Sequence, residues 1–463
     1  MKWARSHLED CKRTHVLCAD AEENRRPKRI LSLREDPDGK ISVRLVNPGI
    51  DPNVPEYGAY AALSHVWGKE RICTTTTETH EDHRRGIPWD AIPATFKHAI
   101  TIVLKLNIEL LWIDSLCIVQ DDMDDWEIES SKMADTYQNA TLTLAATASS
   151  SDSHGCFPES QGLDSDVEIK LPYNVPECRI AVREPLRHWD TANPRQIKDP
   201  FPLLSRGWVF QERLLSPRIL HLCEQELVWE CRRLCICECG GLEGGQSRNG
   251  IQYEAIKGSQ NQRDEATSAW LRRPNRTRKL FSDMTVWPSA KSSIPPGIPR
   301  LSLTEIVRRE AEWKDFPELF LQFHRIVEQY SALELTKPTD RLPALSGLCE
   351  RMQHDRGDYI AGLWSDSICA DLMWRKDILY FENNQAARLA EYRGPSWSWI
   401  AVDGPVSYWF DLTSFRESPR ERDGRVRSSE SNARRVEANA VQAGASRPWT
   451  QTANRQVRET SPF

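Results

Sequence analysis

Two short apolar runs on either side of an amphipathic segment constrain the fold of this chain more than any other feature. "YAALSHVWG" at residues 60–68 and "IELLWID" at residues 108–114 are almost continuously apolar. Between them, "IPATFKHAITIVLKLN" has helical spacing and places Pro93 in its first turn. Strands that are apolar on both faces belong to sheets covered on both faces by helices. The pattern therefore predicts an α/β fold with a partly parallel sheet flanked by helices.

Further elements are predicted on both sides of this unit. "KRILSLRE" and "KISVRLV" surround the turn "DPDG" and predict a hairpin. "DDMDDWEIESSKMADTYQNA" predicts a helix with an acidic first turn, and "TLTLAATA" predicts a third strand. "RGWVFQERLLSPR" predicts a helix ahead of a second hairpin, "RILHLC" and "ELVWEC". We expect an N-terminal segment and hairpin at residues 1–59 and an α/β domain at residues 60–230.

Composition divides the rest of the chain into three parts. Residues 231–300 begin with a cysteine-rich strand end and continue as a Gly/Pro/Ser-rich linker. In residues 301–410, the segments "FPELFLQFHRIVEQYSALEL", "DRLPALSGLCERM" and "YIAGLWSDSICADLMW" predict a mostly helical C-terminal region. Residues 411–463 are arginine-rich without a periodic apolar face, which predicts a disordered tail.

Charge and hydropathy exclude several classes of protein. A net charge of −6 over 463 residues does not indicate nucleic acid or a membrane surface as a partner. No apolar run reaches the roughly 18 residues of a membrane span, and the first fifteen residues lack the apolar core of a secretory signal. We therefore expect an intracellular, cytoplasmic protein whose 13 cysteines are mostly buried thiols.

Two groups of cysteines have spacings open to metal binding. Cys11, His15 and Cys18 follow i, i+4, i+7 and would share one face of a helix, a geometry that suits zinc. The segment "CRRLCICEC" supplies a second group: Cys231, Cys235, Cys237 and Cys239. Neither group has the paired CxxC spacing of common zinc modules, so buried thiols are the favoured interpretation and no metal is expected.

A cysteine nucleophile is the weakest catalytic interpretation. Cys117 and His65 both follow apolar strands, at the carboxyl ends where open α/β sheets place their sites. However, the apolar neighbours of Cys117 would raise the pKa of its thiol, which favours a core residue. Signatures of dinucleotide-binding domains, P-loops, α/β-hydrolases and zincins are absent.

Glu212 is a carboxylate among large apolar residues, and it needs an explanation. Burial of a carboxylate is costly unless a partner compensates it. One interpretation is a structural ion pair with Arg206, Arg213 or Arg218. The other is a catalytic group. Asp114, at a strand end, is the second carboxylate of interest, although it also suits a cap of the next turn.

Four segments together resemble the fungal heterokaryon-incompatibility (HET) domain. They are "YAALSHVWG", "LWIDSLCIVQDD", "MADTYQNATLTLAAT" and "LLSRGWVFQERLLSPRILHL", in the order of the family. The resemblance implies a role in non-self recognition that promotes growth arrest or cell death. HET domains have also been compared with TIR-type α/β domains, some of which hydrolyse NAD with a helical glutamate in a W-x-x-x-E context. Trp208 and Glu212 have that spacing.

The resemblance leaves two functions open. In the first, the chain hydrolyses NAD without a further cofactor, and Glu212 stabilises the oxocarbenium-like ribosyl centre. The pocket would be lined by Ser64, Trp67, Asp114 and Trp208. In the second, the chain is a non-catalytic signalling module that self-associates or binds another incompatibility protein, and Glu212 belongs to a structural ion pair.

Overall fold

The computed structural model describes eleven parts of the chain: residues 1–19, 24–68, 73–157, 167–170, 179–182, 186–189, 198, 200–242, 318–353, 356–376 and 392–408. All of them belong to one compact unit, Met1–Trp409. The second unit, Phe410–Phe463, lies outside the described residues, as does nearly all of the predicted linker. The predicted disorder of the tail therefore stays a prediction.

A mixed sheet of eight strands forms the centre of the first unit. Its strands are Ile30–Glu35 (β1), Ile41–Val46 (β2), Ala61–Ser64 (β3), Leu110–Trp112 (β4), Leu142–Ala145 (β5), Arg218–Leu222 (β8), Leu227–Cys231 (β9) and Cys235–Cys237 (β10). They are arranged in the order β10-β9-β8-β5-β3-β4-β1-β2. A separate antiparallel pair, Val167–Lys170 (β6) and Arg179–Val182 (β7), interrupts this series along the chain.

The four central strands of the sheet are parallel to one another. Strand β3 pairs with β4 on one side and β5 on the other, and β5 pairs with β8. Antiparallel strands extend both edges: β1 and β2 beside β4, β9 and β10 beside β8. All residues of β3, β4 and β5 are buried, as expected for apolar strands covered on both faces. The predicted partly parallel sheet is confirmed.

Helices precede, connect and cover these strands. They are Lys2–Thr14 (α1), His80–Arg85 (α2), Ala94–Lys105 (α3), Asp114–Cys117 (α4), Met123–Ser131 (α5), Met133–Asn139 (α6), Gly207–Leu215 (α7), Glu318–Ser331 (α8) and Pro343–Gln353 (α9). Helix α3 joins β3 to β4, which confirms the predicted strand–helix–strand unit. The single helix expected after it is two helices, α5 and α6, that meet at Lys132. Asp122 caps α5, accepting hydrogen bonds from the backbone of Asp124 and Asp125.

The C-terminal region is less helical than its apolar pattern predicts. Helices α8 and α9 are formed as expected, but the predicted helix "YIAGLWSDSICADLMW" is wrong. That segment contains Tyr359–Ile360 (β11), Leu363–Trp364 (β12), Ile368–Asp371 (α10) and Trp374–Lys376 (β13), and β13 pairs with Val406–Tyr408 (β14). Ala361 and Gly362 between β11 and β12 have φ angles of 49° and 88°, which end any helix there and form a hairpin turn.

Helices α8 and α9 pack directly against α7. The rings of Phe210 and Tyr330 lie 5.9 Å apart between their centroids. The backbone N–H of Gly347 donates to Gln211 Oε1 over 2.9 Å. The N–H of Gly207 donates to the carbonyl of Glu334 over 2.8 Å. The C-terminal helices therefore hold α7 in place.

Candidate functional site

The strand order creates a crevice at one end of the sheet. Counted along the chain, the four parallel strands lie in the spatial order 2-1-3-4. The connection after β3 therefore leaves toward β4, and the connection after β5 leaves toward β8, on opposite sides. In open α/β sheets, ligands bind at such a switch point, outside the carboxyl ends of the strands. Here Ser64 and His65 mark the end of β3, and Thr147 follows β5.

Glu212 lies beside this switch point, on α7. Its side chain is buried, with the residue 7 % exposed, and its Oε2 atom has no hydrogen-bond partner. Burial raises the pKa of Glu212 to about 7, and the nearby Asp114 carboxylate adds to the rise. The Ser64 hydroxyl, Arg206 and Tyr137 favour the charged form of Glu212 and so limit the rise in its pKa. The carboxyl group is therefore poised between its two protonation states near neutral pH.

Ser64, like Glu212, has a buried oxygen without a hydrogen-bond partner. The Ser64 hydroxyl is near enough to influence the pKa of Glu212, but Ser64 Oγ, like Glu212 Oε2, has no well-formed hydrogen bond. Buried polar atoms without partners are few in native proteins, because each loses its hydration for no gain. Ser64 lies at the carboxyl end of β3 and Glu212 on α7, so two such atoms face the switch point, where a polar ligand or an ordered water would satisfy them.

His65 lies between two carboxylates at the same end of the sheet. Its Nδ1 is 3.7 Å from Asp114 Oδ1, and its Nε2 is 3.2 Å from Asp152 Oδ1. Burial raises the pKa of Asp152, the charge of Asp114 adds to the rise, and His65 opposes it. The Trp67 indole donates to Asp114 Oδ2 over 2.8 Å. This arrangement places one imidazole between two carboxyl groups.

Two of the three arginines expected to pair with Glu212 are engaged elsewhere. Arg213 forms a buried ion pair with Glu230, with Nε 2.8 Å from Oε2. Arg218 is fully buried and donates to the backbone carbonyls of Thr141 and Cys18. Both arginines have structural roles. Each donates to buried carboxylate or carbonyl oxygens that would otherwise have no hydrogen-bond partner.

Arg206 is the arginine nearest to the candidate site. Its Nη1 donates to the backbone carbonyl of His65 over 2.7 Å, and its positive charge lowers the pKa of Glu212. It forms no salt bridge with that carboxylate. In the part of the chain that the structure describes, no ion pair involves Glu212, so the structural pairing considered from the sequence is not formed. The three arginines bind other groups instead: Arg206 and Arg218 donate to backbone carbonyls, and Arg213 pairs with Glu230.

Three of the four expected pocket residues come together. Ser64 and Asp114 both influence Glu212, and Trp67 binds Asp114. Trp208 differs, since its indole N–H donates to Asp340 Oδ2 over 3.1 Å, in the C-terminal region. The W-x-x-x-E spacing therefore does not bring the Trp208 indole N–H to the Glu212 carboxylate.

Sequence reasoning missed Tyr137 and Asp152 as members of this site. Tyr137 lies on α6, and its hydroxyl donates to the carbonyl of Leu63, the residue before Ser64. Asp152 lies in the loop that follows β5, within the segment "SSSDSHG". The signal that was available is topological: a polar loop directly after a parallel strand reaches the same end of the sheet as Ser64.

Cys117 does not have the properties of a nucleophile. It is fully buried at the end of α4, and burial raises the pKa of its thiol to about 12. His65, the base considered for it, lies against Asp114, Asp152 and the ring of Phe96. The structure supports the interpretation of Cys117 as a core thiol.

A second buried network has the order hydroxyl, imidazole, carboxylate. Thr147 Oγ1 is 2.9 Å from His221 Nδ1, and His221 Nε2 is 2.9 Å from Glu230 Oε2. Such an order occurs in nucleophilic catalysis. Here all three residues are at most 1 % exposed, and Glu230 also binds Arg213. The network is therefore a satisfied polar core under the ends of β5 and β8.

Two groups of metal-binding side chains are assembled away from the switch point. Cys231 joins the predicted trio Cys11, His15 and Cys18, and the four ligand atoms lie within 4.8 Å of one another. The second group, within the same limit, consists of His188, Glu226, Cys237 and Cys239. Cys231 in the first group, and His188 and Glu226 in the second, come from distant segments of the chain, so local spacing could not assign them.

None of the described helices is long and apolar enough to cross a membrane.

Comparison with known proteins gives a match, and it covers the region that contains the switch point. No curated protein and no solved structure matches the chain. The family model of the heterokaryon incompatibility protein (HET) matches residues 60–212. This range begins next to β3 and ends at Glu212, so it includes every group of the candidate site. The chain therefore carries a heterokaryon incompatibility (HET) domain.

Proposed function

We propose that this protein promotes cell death in fungal heterokaryon incompatibility by hydrolysing NAD at the switch point of its HET domain. The family match supports the biological role. One observation carries the chemical part: the Glu212 carboxylate is buried at the carboxyl ends of parallel strands, with an oxygen that no protein group satisfies. TIR-type domains that use a helical glutamate provide the chemical analogy.

The proposed reaction breaks the bond between the ribose C1′ atom and the nicotinamide nitrogen. The electron pair of that bond leaves with nicotinamide, which becomes neutral and needs no proton. A positive charge develops on the ribosyl centre, and the ionised Glu212 carboxylate stabilises it inside a site of low polarity. Water then adds to C1′ and releases a proton, which His65 or a neighbouring carboxylate accepts. The products are ADP-ribose, nicotinamide and a proton.

The remaining side chains of the site bind and orient the substrate in this proposal. Ser64 offers a hydroxyl for a ribose oxygen, and Arg206 keeps a positive charge near the acids. Trp67 and Asp114 are only partly buried, with the Asp114 side chain 19 % exposed, so the cluster reaches the surface on this side. A substrate would reach Glu212 from that edge.

The test is NAD consumption by purified full-length protein, with Glu212→Gln beside wild type. Glu230→Gln is the matched control, because it makes the same change at a buried glutamate that already has Arg213 and His221 as partners. We expect Glu212→Gln to lose about a hundredfold or more in turnover while its folded structure is kept. Glu230→Gln should lower the melting temperature and keep its turnover per folded molecule.

Equal turnover of wild type and Glu212→Gln would refute the enzymatic proposal. The burial of the site then favours the other function, a non-catalytic module that self-associates or binds another incompatibility protein. Glu212 and His65 are buried, and α8 and α9 cover α7. For such a module, every variant that folds should remain toxic in cells, and toxicity should follow assembly instead of NAD loss.

A further inference from the structure

The cluster of Cys11, His15, Cys18 and Cys231 joins the N-terminal segment of the chain to strand β9 of the sheet. Cys11 lies on α1, His15 is the residue that follows its last turn, and Cys18 is the last residue of the 3₁₀ helix Val16–Cys18. Cys231 is the last residue of β9, 216 positions after His15. The three cysteines are buried, and His15 is partly buried. The bend after α1 is what turns His15 and Cys18 toward Cys231.

The spacing of the ligand atoms fits a tetrahedral ion. All four lie within 4.8 Å of one another, and Cys231 Sγ is 3.4 Å from His15 Nδ1. With zinc–sulfur and zinc–nitrogen bonds of about 2.3 Å and 2.0 Å, a tetrahedral site separates sulfur and nitrogen by about 3.5 Å. Three thiolates and one imidazole form a common closed set for structural zinc, with no position left for water.

Further hydrogen bonds hold the ligand-bearing loop in place. Arg218 donates to the Cys18 carbonyl, and Arg232 Nη1 donates to the Leu17 carbonyl over 3.1 Å. Arg218 begins β8, and Arg232 directly follows Cys231 at the end of β9. The loop that carries His15 and Cys18 is therefore fixed to the start of β8 and the end of β9 by protein groups as well as by the cluster.

We propose that Cys11, His15, Cys18 and Cys231 bind one structural zinc ion that fastens α1 to the end of strand β9. The ion joins segments that are more than two hundred residues apart, and so it closes the N-terminal segment onto the sheet. Docking of the N-terminal segment on β9 is then coupled to zinc binding, because the unfolded chain does not hold the four ligands together. The site is separate from the switch point and does not depend on the proposed reaction.

The experiment measures zinc in the full chain after expression in zinc-supplemented medium. Cys231→Ser should contain one equivalent less zinc than wild type, whereas Cys349→Ser, at a buried cysteine outside both metal groups, should retain the wild-type content. Cobalt substitution of wild type should give the near-ultraviolet thiolate-to-cobalt absorption, and Cys231→Ser should lose it. A double variant, Cys237→Ser with Cys239→Ser, should keep this cluster's equivalent.

Wild-type protein alone also tests the proposal if the variants fail to fold. Under native conditions, Cys11, Cys18 and Cys231 should resist alkylation, and a strong chelator should make all three react, as peptide mass mapping would show. Absence of zinc from wild type would overturn the proposal. So would a disulfide between Cys11 and Cys18, or zinc content that falls only when Cys237 and Cys239 are replaced.

Discussion

Replacing Glu212 by glutamine should change how the stability of the protein depends on pH. Glutamine keeps the shape of the side chain and removes its titration. In wild type, burial raises the pKa of Glu212 from 4.5 to about 7. For a carboxyl group whose folded pKa is raised, the native state holds the proton more tightly than the unfolded state. Stability from this group is therefore fully present below pH 4.5 and is lost as pH rises to about 7.

The size of the effect follows from the same two values. Each unit of pKa is worth about 1.4 kcal/mol. The difference between 4.5 and about 7 then corresponds to a loss of about 3 kcal/mol in wild type between pH 4.5 and pH 8. Glu212→Gln lacks this loss. Relative to wild type, the variant should gain about 3 kcal/mol over that range.

Urea denaturation of both proteins at pH 5, 6, 7 and 8 measures this difference. Contributions from titrating groups distant from Glu212 cancel when the variant is compared with wild type at each pH. An ion pair between Glu212 and an arginine would lower its pKa and reverse the sign, so that the variant became relatively less stable at high pH. A flat or reversed difference would refute the assignment of Glu212 as a buried, unpaired acid.

Two further predictions concern the frame around the site, and both are measured by the urea midpoint at pH 7. Arg213→Met should destabilise the protein by about 3 kcal/mol or more, because it leaves the buried charge of Glu230 without its main partner. Gly347→Ala should cost about 1–3 kcal/mol, since the added Cβ would overlap Ala134 Cβ on α6 and lie 2.8 Å from Gln211 Oε1, which disturbs the contacts of α9 with α6 and α7. Glu350→Ala, at an exposed position of α9, is the control and should change stability by less than about 0.5 kcal/mol. A Gly347→Ala midpoint equal to that of the control would contradict this packing.

The sequence predicted the parts of the fold that depend on local patterns. The strands at Ala61–Ser64 and Leu110–Trp112 were predictable because continuous apolar runs identify strands buried on both faces. The hairpins were predictable from turn residues between β-rich runs. Tyr359–Ile360 was misassigned, since a helix-like apolar pattern gave no sign of the positive φ angle at Ala361.

The candidate site was predictable only in part. Glu212 and Asp114 were found because a carboxylate in apolar surroundings, or at a strand end, is unusual. The contacts between the side chains of the site depend on tertiary geometry. Trp208, for example, donates a hydrogen bond to Asp340, which is 132 residues away in the chain. The same holds for Cys231, which reaches His15 across 216 residues. Spacing along the chain cannot reveal such contacts.

The packing of α8 and α9 on α7 affects how deletion mapping of this protein must be read. The family match ends at Glu212, three residues before α7 ends at Leu215 and before β8 begins at Arg218. A fragment cut at that point would lose the strand next to β5 and the helices that cover α7. Loss of function in such a fragment would then report a broken scaffold and would assign no signalling role to the C-terminal half. Point variants in the full chain are the informative genetic tool for this protein.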